Sequence, residues 1–213
     1  MIELKRASVR QWAQLLLGLA FYGIAITLML RSGLGLGPWD MLHQGVSRLS
    51  GLSVGVASEL VGVVLVVALM LIFRARFGLG TVANVIFIGV VTDLTMPLVM
   101  EAQGLFMQLL YYAIAIPVCG LGSGLYIGAR MGAGPRDTLM MTLSQRTGRS
   151  VRLMRTVIEL VVLVAGWLMG GQAGLGTVLF ALGIGPAVQW GMRVARAQPH
   201  HAPPQPTPQP TNA

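Results

Sequence analysis

The sequence predicts an all-α integral membrane protein with six transmembrane helices arranged as two inverted three-helix repeats. Three observations lead to this prediction. Of the 213 residues, 54% are hydrophobic and only 10% are charged; six apolar runs are long enough to cross a bilayer; and one set of motifs occurs twice. Because a soluble domain carries about 25% charged residues, the composition excludes an ordinary soluble protein.

The six apolar runs define the predicted spans. A bilayer core about 30 Å thick requires roughly 20 apolar residues per helix. The first run resembles a signal peptide, but it is too long and no small-residue cleavage site follows it, so it is interpreted as an uncleaved helix. The predicted spans are 11–31, 53–73, 79–100, 104–129, 150–170 and 175–194.

The basic residues predict the orientation of these spans. Because cytoplasmic loops are enriched in Lys and Arg, we expect both termini in the cytoplasm, with only Arg31 and Arg48 outside. The net charge of +8 is then explained by topology and by attraction to anionic lipid, without a nucleic-acid partner. The other basic residues fall on the cytoplasmic side: Lys5, Arg6, Arg10, Arg74, Arg76, Arg130, Arg136, Arg146, Arg149, Arg152, Arg155, Arg193 and Arg196. The tryptophans near span ends are expected in the headgroup layer: Trp12, Trp39, Trp167 and Trp190.

Motifs of the first half recur in the second half in the same order. GLGPWD at 35–40 recurs 97 residues later as GAGPRD at 132–137, and GLGT at 78–81 recurs 96 residues later at 174–177. Such spaced motifs in one order indicate a duplication. Each half contains three predicted spans, so the second copy would cross the membrane in the opposite sense. The sequence therefore predicts an inverted repeat.

The chain accordingly divides into four segments. They are a cytoplasmic N-terminus at 1–10, a first repeat at 11–100, a second repeat at 101–197 and a Pro-rich cytoplasmic tail at 198–213 that is predicted to be disordered. His200 and His201 in the tail lack a third metal ligand. The single Cys119 excludes an intramolecular disulfide and a Cys-based metal centre. We expect no metal and no cofactor.

A short amphipathic helix is predicted after the first span of each repeat, over 38–49 in the first. Two interpretations are open. The helices either lie in the interface, with Asp40 and Asp137 complementing the helix dipole, or they are re-entrant half-helices whose N-terminal amides face a shared site. The predicted half-helix N-termini are Gly35, Gly37, Pro38, Gly132, Gly134 and Pro135.

Ionisable residues inside spans are expensive in lipid and mark candidate sites. Arg155 and Glu159 lie one turn apart on the fifth span and are predicted to pair, either as a structural ion pair or with Glu159 as a proton or cation carrier. His43, three residues after Asp40, makes an acid/base pair or a simple helix-surface contact. The candidate substrate- or ion-binding residues are Asp40, His43, Gln44, Glu59, Asp93, Asp137, Arg155 and Glu159.

The repeated motifs resemble those of the bacterial YczE-like membrane proteins, often grouped with the YitT proteins. The segments that carry the resemblance are GLGPWDMLHQGVSRLSGLS, FGLGTVANVIFIG, GAGPRDTLMMTLSQRTGRSVRLMRTVIELVVLVAGW and GLGTVLFALGIGP, and together they cover about 11–194. The resemblance implies a small multi-pass protein of the bacterial cytoplasmic (inner) membrane. It brings no established substrate or catalytic residues.

Architecture is the main guide to function. The sequence contains no H-E-x-x-H, G-x-S-x-G or Walker motif, so we expect no enzyme. Inverted repeats are typical of secondary transporters, so we expect transport or exchange of an unidentified small solute or ion, with protons coupled through Glu159, Glu59 or Asp93. The alternatives are the capture subunit of a vitamin-type importer and an accessory protein that anchors a cytoplasmic enzyme through the Arg-rich segment 130–155. Apart from lipid, the partners are left open, including a homo-oligomer.

Overall fold

The computed structural model describes residues 2–3, 7–75 and 77–195. The predicted tail, with its two histidines, lies outside these residues. The described part of the chain contains eight α-helices, one 3-10 turn and one pair of two-residue parallel strands. In chain order the elements are β1 (Ile2–Glu3), α1 (Val9–Ser32), α2 (Pro38–Ser50), α3 (Val54–Phe73), β2 (Phe77–Gly78), α4 (Leu79–Thr95), the 3-10 turn (Met96–Leu98), α5 (Gly104–Gly128), α6 (Pro135–Thr147), α7 (Val151–Leu168) and α8 (Leu175–Val194).

Five helices are long and apolar enough to cross a membrane: α1, α3, α4 with the following turn, α5 and α8. Their ends agree with the predicted spans to within two residues. The remaining predicted span, the fifth in chain order at 150–170, is helix α7, which has 18 residues and carries Arg152, Arg155 and Glu159. With three charged residues, α7 is less clearly a membrane span than the other five helices. The protein is therefore an all-helical, multi-pass membrane protein with five clearly apolar spans.

The short helices α2 and α6 form where the repeated motif predicts them, and each has 13 residues. Each begins after an extended glycine, Gly37 or Gly134, with proline at the first helical position, where a missing N–H costs nothing. Each ends at a glycine with positive φ, 73° at Gly51 and 66° at Gly148. The left-handed conformation stops a helix and favours glycine, so the motif and its glycine together set the length of both helices.

The loop before each short helix binds the start of the last long helix of the other half. The carbonyl of Leu34 accepts the Gly176 N–H at 2.7 Å, and the carbonyl of Met131 accepts the Gly80 N–H at 2.9 Å. The two carbonyl residues are 97 apart and the two glycines are 96 apart, which are the offsets of the repeated motifs. The two halves are therefore interlocked through matching hydrogen bonds.

Glycine is required in these loops by both backbone angle and space. Gly35 has a φ of 111° and Gly132 a φ of 131°. A Cβ on Gly35 would lie 2.5 Å from the backbone nitrogen of Gly174, and one on Gly132 would lie 3.1 Å from the Cα of Gly78. Since neither neighbour can rotate away, only glycine permits this close crossing of the chain.

The long helices pack closely around α1 and α5, which contact each other, while α4 packs on α1 and α8 on α5. At one pair of equivalent positions the two halves use different chemistry. Thr27 and Thr95 share a hydrogen bond, with 2.6 Å between their Oγ1 atoms, whereas the residues at the repeat offsets in the second half are Gly124 and Gly191, whose backbones are in direct contact. Hydroxyl hydrogen bonds and small residues are both means of close helix approach in lipid.

Candidate functional site

A cavity of about 180 Å³ lies where α2 and α6 begin. Its lining includes the first residues of both short helices, Gly37 and Pro38 in one and Gly134 and Pro135 in the other. Neither helix start is capped by a side chain of the described residues. The N-terminus of a helix carries a partial positive charge, so two such ends, one from each half, border a single cavity.

The polar lining also comes from both halves of the chain. Helix α2 supplies Asp40 and His43, α6 supplies Arg136 and Asp137, and α7 adds an arginine and a glutamate. The remaining polar residues on the lining are Tyr22, Ser58, Asn84, Ser123 and Tyr126. Apolar side chains of the long helices complete the walls. The cavity is therefore a mixed site with charges of both signs.

Arg136 connects α6 to α2. Its Nη2 lies 3.3 Å from Nε2 of His43, and its guanidinium carbon lies 4.9 Å from the centroid of the Trp39 ring. A guanidinium can only donate, so Nε2 of His43 accepts, and a neutral ring then carries its proton on Nδ1. Among residues 7–75 and 77–195, no carboxylate oxygen lies within 4.0 Å of Arg136. Its positive charge therefore meets a neutral ring and an aromatic face rather than an acid.

Two buried polar atoms beside this arginine have no hydrogen-bond partner in the described part of the chain: Oδ1 of Asp40, an acceptor, and Nε1 of Trp39, a donor. Asp40 is 3% exposed and Trp39 7%. The nearest ring nitrogen of His43 is 3.8 Å from Oδ1, too far for a hydrogen bond. An unpaired buried polar group costs about 1–3 kcal/mol, so a ligand that supplies partners for both atoms recovers that cost.

The other two carboxylates on the lining already have partners. Oδ2 of Asp137 accepts a hydrogen bond from the Tyr126 hydroxyl at 3.1 Å. Oε1 of Glu159 accepts one from Nε of Arg155 at 2.9 Å, so the predicted pairing one turn apart is confirmed. Asp40 is therefore the lining carboxylate with an unpartnered buried oxygen.

The cavity brings together five of the eight residues predicted from sequence: Asp40, His43, Asp137, Arg155 and Glu159. The other three lie elsewhere. Oε1 of Gln44 accepts the backbone N–H of Gln172 at 2.7 Å. Asp93 accepts the N–H of Gly55, in the first turn of α3, at 2.8 Å, and Glu59 packs against α4. The predicted half-helix residues Gly35 and Gly132 also lie off the lining, because they form the loop crossings. Helix packing, which a single sequence does not show, turns these residues away from the cavity.

Sequence reasoning missed several polar residues of the site, among them Trp39 and Arg136. The expectation that Trp39 lies in the headgroup layer is wrong, because its ring is buried against Met140, Ile158 and Val162. Trp39 and Arg136 occupy the same position of the two repeated motifs, and they contact each other. Equivalent residues of two related units meet only near the axis that relates them. Trp39 and Arg136 stand at a position where the two motifs differ, so this rule could have predicted from the sequence that they meet.

Comparison with known proteins places the chain in a family. A family model with the description "Family of unknown function (DUF6198)" matches residues 9–193. The chain belongs to this family. DUF6198 relatives include an uncharacterized protein of Haemophilus influenzae, 37% identical over 189 residues, which are 87% of this chain and 85% of the relative. Another is the uncharacterized membrane protein YczE of Bacillus subtilis, 33% identical over 183 residues, or 84% of each chain.

A third relative, the uncharacterized protein YyaS of Bacillus subtilis, is 27% identical over 166 residues, which are 76% of this chain and 83% of that one. No solved structure matches the chain. The resemblance to the YczE-like membrane proteins is confirmed, and with it the membrane location. The names of these relatives refer to no solute, so the chemistry of the cavity is the guide to function.

Proposed function

We propose that the protein is a secondary transporter or exchanger that binds a small polar solute in the cavity and moves it without chemical conversion. The observation that carries the proposal is the meeting of two helix N-termini, from equivalent motifs, at one cavity with unpartnered buried polar atoms on Asp40 and Trp39. In transporters with inverted repeats, the substrate site lies between the repeats and is formed by the N-termini of discontinuous helices.

Under this proposal α7 is the sixth span. Its 18 residues extend about 27 Å at 1.5 Å per residue, close to the thickness of a bilayer core. Charged residues within spans are commonly paired, and Arg155 and Glu159 on α7 pair with each other and border the cavity. Six spans place three in each half, so the halves have opposite orientation. The matched loop contacts at the repeat offsets support this arrangement.

The burial of α2 supports a re-entrant helix rather than one that lies in the interface. An interfacial helix keeps its polar face in the headgroup region. In α2 the polar side chains of Asp40, His43 and Gln44 are instead buried within the protein. A polar face turned inward is expected of a half-helix that contributes to a binding site.

The orientation of the proposed transporter is tested by cysteine labelling. In a Cys119→Ala background, cysteines are introduced at the exposed residues Ser50 and Gln145, near the ends of α2 and α6. With both termini in the cytoplasm, a membrane-impermeant maleimide added to intact cells should label Ser50→Cys, and should label Gln145→Cys only after permeabilisation. The Cys119→Ala parent is the blank. Labelling of Gln145→Cys in intact cells would exclude the inverted repeat.

Transport is tested by counterflow in proteoliposomes. Vesicles are loaded with an unlabelled solute, and uptake of the same solute in labelled form is measured, for a panel of amino acids, small carboxylates and small amines. We expect uptake above empty vesicles for at least one class, because an exchanger accumulates label without any other energy source. Folded protein that exchanges no member of the panel would contradict the proposal, and binding without exchange would favour a capture subunit.

A further inference from the structure

We propose that the cavity binds a small zwitterionic solute, with its carboxylate on Arg136 and its ammonium group on Asp40. The inference deepens the proposed function by naming the class of solute, and it rests on that function only for the location of the site. Binding itself is measured without any transport step. Two features of the cavity carry the inference: an arginine without an acid within 4.0 Å and a carboxylate oxygen without a donor in the described residues.

Arg136 provides the site for the carboxylate. A guanidinium has five N–H donors in a planar fork that matches a carboxylate, and in the described structure the contact with His43 uses one nitrogen. The guanidinium lies over the Trp39 ring, and this cation–π contact helps to hold the side chain in place. Trp39 also lines the cavity and has a buried, unpartnered Nε1 donor, and the helix N-termini add positive potential. An anionic group on Arg136 would complete this set of donors.

Asp40 provides the site for the ammonium group. Asp40 lines the same cavity. Its Oδ1 is a buried acceptor without a partner in residues 7–75 and 77–195, so an ammonium group on this side chain would supply the missing donor. An ammonium group has three donors and a positive charge, so it satisfies both the hydrogen-bonding capacity and the charge of this carboxylate. Asp137 and Glu159 are weaker candidates, because Tyr126 and Arg155 already occupy them.

The two charges together exclude simpler ions as the best fit. A plain anion on Arg136 would lie beside the Asp40 carboxylate, and a plain cation on Asp40 would lie beside the Arg136 guanidinium; like charges placed together oppose binding. No salt bridge joins Arg136 and Asp40 in the described residues, so each keeps hydrogen-bonding capacity for a ligand. A solute with both groups bridges them. Glycine and alanine are the smallest solutes that carry both groups, so they are the first to test.

The test measures dissociation constants for glycine, L-alanine and β-alanine with the full chain in lipid nanodiscs. Acetate and methylammonium serve as half-ligands. We expect a zwitterion to bind at least about tenfold more tightly than either half-ligand, since it alone pairs both charges. Arg136→Gln and Asp40→Asn should each weaken zwitterion binding by about thirtyfold or more. The control variants Arg149→Gln and Glu101→Gln change exposed residues that do not line the cavity, and they should change the constant by less than about twofold.

Several results would overturn the inference. The first is that none of the three zwitterions binds folded wild-type protein. The second is that acetate or methylammonium binds as tightly as glycine. The third is that glycine binding is unchanged in both Arg136→Gln and Asp40→Asn. If Arg136→Gln does not fold, the half-ligand comparison on wild type decides, and Arg136→Lys, which keeps the charge but loses the fork, should bind more weakly than wild type. Zwitterion binding without counterflow would leave the inference standing and remove transport. Counterflow of a solute with one charge only would keep transport and overturn the inference.

Discussion

Gly191→Ala should lower the free energy of unfolding by about 1–3 kcal/mol, because a methyl group at this position of α8 has no space. A Cβ on Gly191 would overlap the carbonyl oxygen of Gly120 on α5. That oxygen belongs to the backbone, so the two helices must separate and lose their contacts. The higher helix propensity of alanine offsets only part of this loss.

The matched control is Gly183→Ala, also on α8 and also facing α5. Here a Cβ would lie 3.0 Å from Cδ1 of Ile116, the end of a flexible side chain that can rotate. We expect a change within about 0.5 kcal/mol, since a small shift of Ile116 is balanced by the gain in helix propensity. Unfolding by SDS, followed by tryptophan fluorescence, compares the two variants. If Gly191→Ala and Gly183→Ala lowered stability equally, the close approach of the two backbones at Gly191 would not be the cause of the loss.

Glu159→Gln should lower stability by about 2–3 kcal/mol and abolish solute exchange, because it removes the carboxylate partner of Arg155 from a proposed span. Oε1 of Glu159 lies 2.9 Å from Nε of Arg155, and both residues line the cavity. Replacing both residues by leucine removes the two charges together, so folding should recover. Exchange should remain at least about tenfold below wild type, because the cavity has then lost the groups themselves and not only their pairing.

The stability and counterflow measurements separate two roles of this pair. A double variant that regains stability and retains full exchange would show that Arg155 and Glu159 only hold the helix. Glu101→Gln is the control, since it also removes the partner of an arginine, Arg31, but at an exposed position away from the cavity. It should change stability by less than about 1 kcal/mol. Exchange measured against pH in wild type and Glu159→Gln should differ if Glu159 carries a proton, and identical profiles would remove that role.

The length and composition of the apolar runs determined the helices of this protein. The hydropathy of a 20-residue segment is a local property of the chain, and so are the positions of the glycines and prolines that end a helix. The six predicted runs therefore coincide with helices, and the repeated motif correctly predicts both α2 and α6. The pairing of Arg155 with Glu159 was predictable for the same reason, since residues four apart on a helix share a face.

Only the tertiary structure decided which polar residues share the cavity. His43 and Arg136 are 93 positions apart and meet because α2 and α6 begin at the same place. Gln44, next to His43 in sequence, instead binds the backbone of Gln172, and Asp93 binds the start of α3. In a membrane protein the lipid-facing and protein-facing sides of a helix are both apolar, so hydropathy does not show which side faces a neighbour. Helix packing makes that choice, and it leaves Arg136 without an acid and an oxygen of Asp40 without a donor.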